Sequence, residues 1–266
     1  MNWLLTRTGA LAFGVVGTVS DLLGIFFLAL RQIPFLVEAG KRRIFWHLFK
    51  RYIYNAGFRA AYINTLIAIL LGWLLIGVAT RVLPEGIALS EYFQSLYVIV
   101  SIREIGPLVS GIILISRSAN AVTSDIGLLA LNGEFEALRA QRLNPFIVCL
   151  LPVFLAFPVS LAMMFVFFNV VCILSSWLFL ASLGDHSVAL GQFVSGVVSQ
   201  LTGHELLVSF AKAILGGSVI GIISIYFGAR VRGGYESISR AISNATTAQI
   251  FAFIAINLLL STMAYR

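Results

Sequence analysis

Long apolar runs alternate with short charged connectors along most of the chain. A helix needs roughly 20 apolar residues to cross the hydrocarbon core of a bilayer. Four segments meet that requirement: Gly57 to Thr80, Phe93 to Ser116, Glu205 to Gly228 and Thr247 to Tyr265. A fifth apolar run, Pro145 to Leu183, is too long for one upright helix and barely long enough for two. Pro152 and Pro158 interrupt its first half, each removing a backbone donor. Connector charges choose between one crossing and two. Arg31, Lys41, Arg42, Arg43, Lys50, Arg51 and Arg59 crowd the region from Arg31 to Arg59, up to the start of the first span, while the connector from Gly184 to His204 holds no Lys or Arg. Arg117, Arg139 and Arg142 mark one later connector, and Arg230, Arg232 and Arg240 another. Lys and Arg concentrate on the cytoplasmic side of membrane proteins. The alternation is consistent only if the long run crosses once, with its proline-broken start tilted or lying in the interface. Five spans follow, with the start of the first span inside and the end of the last outside.

Residues 9–30, GALAFGVVGTVSDLLGIFFLAL, are long enough to cross but carry Asp21 and repeated small residues. They read either as a helix in the interface plane or as a sixth span. Arg7 alone precedes this run and no small-residue cleavage site follows, so a cleaved signal peptide is not expected.

Composition agrees with the pattern. Hydrophobic residues make up 59% of the chain, charged residues 11%, and the mean hydropathy is +0.97. Soluble domains carry roughly 25% charged residues, so the chain is an all-α integral membrane protein. The net charge of +7 resides in the connectors, and no basic helix with interleaved aromatics offers a phosphate footprint, which argues against nucleic acid. Cys149 and Cys172 lie in apolar runs and read as small buried hydrophobes. His47, His186 and His204 have no metal-ligand spacing, and no metal site is expected.

The stretch SIREIGPLVSG, residues 101 to 111, breaks the apolar pattern of the second span. Arg103 and Glu104 fall near the bilayer middle by position, where a charge costs about 2.5–3.5 kcal/mol and marks a functional candidate. Adjacent helical residues point about 100° apart, so the two are not expected to cancel as a local pair. Pro107 cannot donate to the carbonyl of Arg103, which leaves a free backbone acceptor beside both charges. The group is either a structural network between helices or the wall of a cavity for a polar or amphipathic substrate. Lys212, in the outer half of a later span, either meets Glu104 or snorkels outward. Gly106 with Ser110, and Gly217 with Gly221, have the small-xxx-small spacing that lets helices approach closely.

A second informative piece is DIGLLALNGEFEALRAQRLNP, residues 125 to 145. Leu128, Leu131, Phe135 and Leu138 fall at helical spacing on one face. Glu134, Glu136, Arg139 and Arg142 lie elsewhere, with Glu136 and Arg139 three residues apart. Such an amphipathic helix rests on the membrane or docks into a groove of a soluble partner.

The run REIGPLVSGIILISRSANAVTSDIGLLALNGEFEAL resembles permeases of the MlaE/YrbE type, the membrane subunits of bacterial lipid ABC transporters that work with MCE proteins. The matching positions are Arg103 to Pro107, Ser116 to Gly127, Gly133 to Leu138 and Asn144 with Pro145, supported by YNAG at Tyr54 to Gly57 and GGYESISRA at Gly233 to Ala241. The likeness runs over roughly residues 50 to 262. Asp125 stands where the family usually has Glu, Gly133-Glu134 where it has Glu-Gln, Asn144-Pro145 for Asp-Pro, and Gly228-Ala229 for Gly-Tyr, so the chain reads as a divergent member.

The resemblance implies a single permease domain, with residues 1–56 an N-terminal interfacial and cytoplasmic region and 57–266 the core. It implies a multi-pass homodimer in the bacterial inner membrane that moves phospholipid and supports outer-membrane lipid asymmetry. An MCE-domain protein would dock on the periplasmic face. Arg103, Glu104, Pro107 and Lys212 would bind substrate, with apolar residues of the second and fifth spans taking acyl chains. Leu131, Glu134, Phe135, Glu136, Leu138 and Arg139 would couple the chain to a separate ABC ATPase that binds ATP and Mg. The chain itself has no GxxxxGK[ST] phosphate loop and is expected to be a non-catalytic subunit without a cofactor. Two other classes compete. A secondary transporter would use Glu104 as a proton site, although no inverted repeat is visible. An intramembrane enzyme would need a serine beside His186 or His204, and no GxSxG run accompanies either.

Overall fold

In hydrocarbon every backbone N–H and C=O must be satisfied within the protein, and helices do this segment by segment. The computed structural model describes residues 17, 18, 20–32, 39–82, 91–182 and 189–264, and these form helices without a strand. They are α1 (20–32), α2 (Ala39–Ala56), α3 (Ala61–Val82), α4 (Gln94–Leu131), α5 (Glu134–Ala140), α6 (Phe146–Ser182), α7 (Leu190–Ser199), α8 (Gly203–Ala229) and α9 (Glu236–Ala264). Five runs are long and apolar enough to cross a membrane: α2 with α3 as one (Phe45–Arg81), α4, α6, α8 and α9. The expected five spans are all present.

Helix α6 occupies the middle and packs against α2, α3, α4 and α8. The apolar windows of α4, α6 and α8 are more than half buried, whereas that of α9 is largely uncovered. Along α3, Tyr62, Leu66, Leu70, Leu74 and Val78 form an exposed stripe at intervals of four, suited to lipid or to another copy of the chain.

The prolines of the long run do not break it. Helix α6 opens with a wide π turn, Phe146–Leu150, and continues to Ser182 with Pro158 inside. Its length of roughly 55 Å at 1.5 Å per residue exceeds the hydrocarbon thickness, so one tilted or protruding crossing accounts for the excess. The start that was expected to be broken by proline and tilted or interfacial is continuous with the rest of the helix, and tilt accommodates its length.

Small residues set how close the helices come. A Cβ on Gly217 of α8 would lie 2.7 Å from Pro158 Cα and 2.9 Å from the Phe157 carbonyl oxygen, both backbone atoms of α6. On Gly106 of α4 it would lie 2.9 Å from Asn169 Nδ2 of α6. Between α3 and α6, Ser176 Oγ donates to the Gly72 carbonyl at 3.1 Å, and a Cβ on Gly72 would overlap Ser175. The small-xxx-small pairs therefore mark true helix contacts.

Two local features depart from the sequence reading, and a third, at the N-terminal side, is described only in part. The segment 125–145 is not one helix: α4 ends at Leu131, and Gly133 at φ +69° opens α5 after a tight turn, a conformation glycine adopts without steric cost. Leu131 and Phe135 thus sit on different helices, with Phe135 buried and Leu138 half-buried. The connector from Gly184 to His204 contains α7, whose Phe193 packs edge-on against Tyr97 at 6.3 Å. Helix α1 is described over 20–32, roughly 20 Å of helix, and residues 17 and 18 before it are helical too. Its Asp21 pairs with Arg230 beyond the end of α8 at 2.8 Å, and its Phe26 packs on Phe154 of α6. The part of the sixth-span alternative that falls on residues 9–16 lies outside the described residues.

Gly217→Ala is expected to lower stability by about 1–3 kcal/mol, the usual cost of overpacking, while Gly191→Ala, with open space around it, changes little. Thermal unfolding of the two variants in detergent checks this, and equal melting temperatures would contradict the close approach of α8 to α6.

Candidate functional site: a charged cluster at the outer end of the bundle

Helix α4 is continuous in path but not in winding. Val98–Ile105 and Leu114–Ala119 are π segments, with the Gly106 N–H reaching back to the Ser101 carbonyl. Such wide turns occur mostly as short insertions, frequently at functional sites. The first carries Arg103 and Glu104, and Pro107 follows in the next turn, where it supplies no N–H.

Lys212 of α8 meets this turn directly. Its Nζ donates to the Arg103 carbonyl at 2.8 Å and to Glu104 Oε2 at 3.1 Å. The backbone acceptor that Pro107 leaves free is thus taken by an ammonium, and the side chain does not snorkel. Lys212 is fully buried, while the Glu104 side chain is 39% exposed. Ser261 of α9 donates to both Glu104 oxygens, at 2.9 and 3.0 Å. Arg103 Nε lies 3.4 Å from Glu104 Oε1, so the two neighbours do interact, if at the long limit of a hydrogen bond. Arg103 also faces Glu205 of α8 at 3.8 Å. Glu205 in turn closes the capping box of α8, with the Thr202 N–H donating to it at 3.1 Å.

The cluster ties α4, α8 and α9 together with two cations and two anions, so its formal charge cancels. Ser261 lies in the last turn of α9 and Glu205 in the first turn of α8, so the cluster lies toward one end of these two helices, the end opposite the arginine-rich connectors. Among the residues singled out from sequence, Arg103, Glu104 and Lys212 come together beside Pro107. Leu131, Glu134, Phe135, Glu136, Leu138 and Arg139 lie at the opposite, arginine-rich end. Glu205 and Ser261 were missed: the first read only as a span boundary, although T-x-x-E at Thr202–Glu205 announces a cap, and the second is a single hydroxyl in an apolar helix.

One helical turn from the cluster begins an apolar groove of about 390 Å³ between α1, α8 and α9. Leu215, Val219 and Ile222 of α8, Ile256 and Leu260 of α9, and Phe26 of α1 line it. The second span, expected to help house acyl chains, contributes nothing to this groove.

A sequence-family model described as permease MlaE matches residues 49–263. The chain belongs to the MlaE permease family. Comparison with curated proteins gives no match. The MlaE match begins in α2 and ends in α9, so it covers all five spans and the charged cluster and leaves α1 outside. The chain is therefore a multi-pass membrane protein with an ABC-type permease role, and the ion-coupled alternative gains no support from its family. Among the described residues no group of His, Cys, Asp and Glu is placed to hold a metal ion.

Removing one partner of a buried ion pair costs about 3–5 kcal/mol because the other charge is stranded. Partial exposure of Glu104 lowers the expectation for Lys212→Met to the bottom of that range or below. Lys212→Met combined with Glu104→Gln is expected to be less destabilised than Lys212→Met alone. Chemical unfolding of the single and double variants checks this, and simple additivity would contradict coupling between the two residues.

Proposed function

We propose that this MlaE-family chain is the membrane subunit of an ABC transporter that moves phospholipid, and that Arg103, Glu104 and Lys212 receive the lipid headgroup. The observation that carries the reading is the adjacency of a charged cluster to an all-apolar groove. Lys212 and Leu215 are one turn apart on α8, and Leu260 and Ser261 adjoin on α9. A molecule with a charged head and long tails matches both surfaces at once. An anionic phosphate would compete with Glu104 for the cations Lys212 and Arg103, while a zwitterionic head would use carboxylate and ammonium together. Pro107 contributes indirectly, by freeing the carbonyl that holds Lys212 in place.

At the other end, α5 presents Glu134, Glu136 and Arg139 outward while Phe135 anchors it to the bundle. Acidic residues in its first turn and Arg139 in its last suit the helix dipole. A short helix of this kind, rooted by one aromatic and charged outside, fits the groove of a soluble partner. In our reading that partner is a separate ATPase subunit, which binds ATP and Mg, and the chain has neither catalytic role nor cofactor of its own. A homodimer in the bacterial inner membrane, joined through exposed apolar helix faces and met on the periplasmic side by an MCE-domain protein, completes the assembly. Its physiological role would be outer-membrane lipid asymmetry.

Glu104→Lys replaces the one carboxylate that Lys212 and Ser261 share, and is expected to abolish complementation of a lipid-transport defect while insertion and dimerisation persist. Normal complementation by both Glu104→Lys and Glu104→Ala would contradict the headgroup role. Affinity purification of the chain is expected to bring down an ATPase with a phosphate loop. Arg139→Glu together with Phe135→Ala is expected to reduce that yield several-fold, and unchanged recovery would remove α5 from the coupling surface.

A further inference from the structure

A second charged cleft lies at the arginine-rich end, between the α2–α3 run and α4. Arg51, Asn55 and Arg59 follow one another at intervals of four, and so do Arg117, Ala121 and Asp125 on α4. All six line one cleft of about 310 Å³. As consecutive spans the two runs are antiparallel, and Ser118 Oγ donates to the Ala56 carbonyl at 3.1 Å, which fixes their register. Asp125 then falls opposite Arg51, within electrostatic reach of it. Arg117 falls opposite Arg59. One end of the cleft is balanced, and the other carries two guanidiniums.

Arg117 is held in place by its surroundings. It belongs to the second π segment of α4, and its Cζ lies 4.6 Å from the centroid of the Tyr62 ring. Among the described residues its buried Nη1 has no hydrogen-bond partner, a costly state for a polar group unless a ligand accepts from it. Two like charges facing one cleft repel each other in the absence of an anion between them. Guanidinium is the group best shaped for bidentate contact with phosphate oxygens. By the positive-inside rule Arg59 and Arg117 sit at the cytoplasmic edge of the hydrocarbon, the depth at which lipid phosphates lie.

We propose that this cleft binds the phosphate of an anionic phospholipid of the cytoplasmic leaflet, clasped between Arg59 and Arg117, with the Asn55 amide as a neutral donor beside it. The site is separate from the Arg103 cluster. It rests on the membrane topology and not on the transport reading, because lipid bound here is detectable without any ATPase.

The test is native mass spectrometry of the purified full chain in detergent, titrated with phosphatidylglycerol, with diacylglycerol as the uncharged comparison. The wild-type chain is expected to retain phosphatidylglycerol but not diacylglycerol. Arg59→Gln with Arg117→Gln is expected to weaken retention about tenfold, the scale of lost charged hydrogen bonds. Arg59 is exposed, so Arg59→Gln alone folds normally and is expected to shift retention the same way. Arg43→Gln with Lys50→Gln removes the same charge from exposed positions of α2 and is expected to leave retention unchanged. The proposal is overturned if the Arg59 and Arg117 variants bind as the wild type does, or if the Arg43 and Lys50 variant loses as much. Displacement by millimolar inorganic phosphate overturns the lipid as the source of the phosphate.

Discussion

Lys212 has no water to turn to, and much of the outer half of the bundle is arranged around that fact. A fully buried ammonium is tolerated only where acceptors surround it. Here one acceptor is a carboxylate, Glu104, and the other is a backbone carbonyl, that of Arg103, which is available because Pro107 cannot donate to it. The π segment that precedes Pro107 presents both from the same turn. Ser261 then ties α9 to the carboxylate, and Glu205 holds Arg103 from the start of α8. Remove the ammonium, and three helices lose a common anchor.

That contact also requires α8 to lie close to its neighbours. Gly217, one turn and a half beyond Lys212, lets α8 touch the backbone of α6 at Pro158, and Gly106 lets α4 close on the side-chain amide of Asn169 of α6. Without water, helix association in lipid depends on such close packing and on interhelical hydrogen bonds. Gln249 of α9, which donates to Ser224 Oγ at 2.8 Å, and Asn64 of α3, which donates to the Met164 carbonyl at 2.9 Å, supply further bonds between spans. The charged cluster is thus fixed by a packed frame, while the groove below it is open and apolar. A frame of this kind suits a site whose polar part must stay put as an amphipathic substrate comes and goes.

Much of this was legible in the residues. Run lengths and connector charges gave five spans, because the cost of unpaired polar groups in hydrocarbon leaves the chain little choice. The out-of-place REIGP drew attention to the right turn, and the free carbonyl of Arg103 follows from proline chemistry alone. Other features were hidden. Nothing local decides whether Lys212 snorkels or turns inward, since both satisfy the ammonium and only the packing of α8 selects one. Adjacent charges looked unable to meet, but the π winding changes the angle between Arg103 and Glu104. Ser261 carries no signal in its own helix and became a site residue only through tertiary contact. Gly133 was counted as one more position in a periodic helix, whereas its left-handed backbone ends α4 and aims α5.

The central claim is that this bundle passes phospholipid under the drive of ATP hydrolysis in a partner. Its most direct test is transfer of labelled phospholipid from proteoliposomes that contain the chain with its co-purified partners. The account predicts transfer that requires hydrolysable ATP and continues when an uncoupler collapses the proton gradient. Transfer that follows the proton gradient without ATP, or ATP-dependent transport of a solute other than lipid, would contradict it.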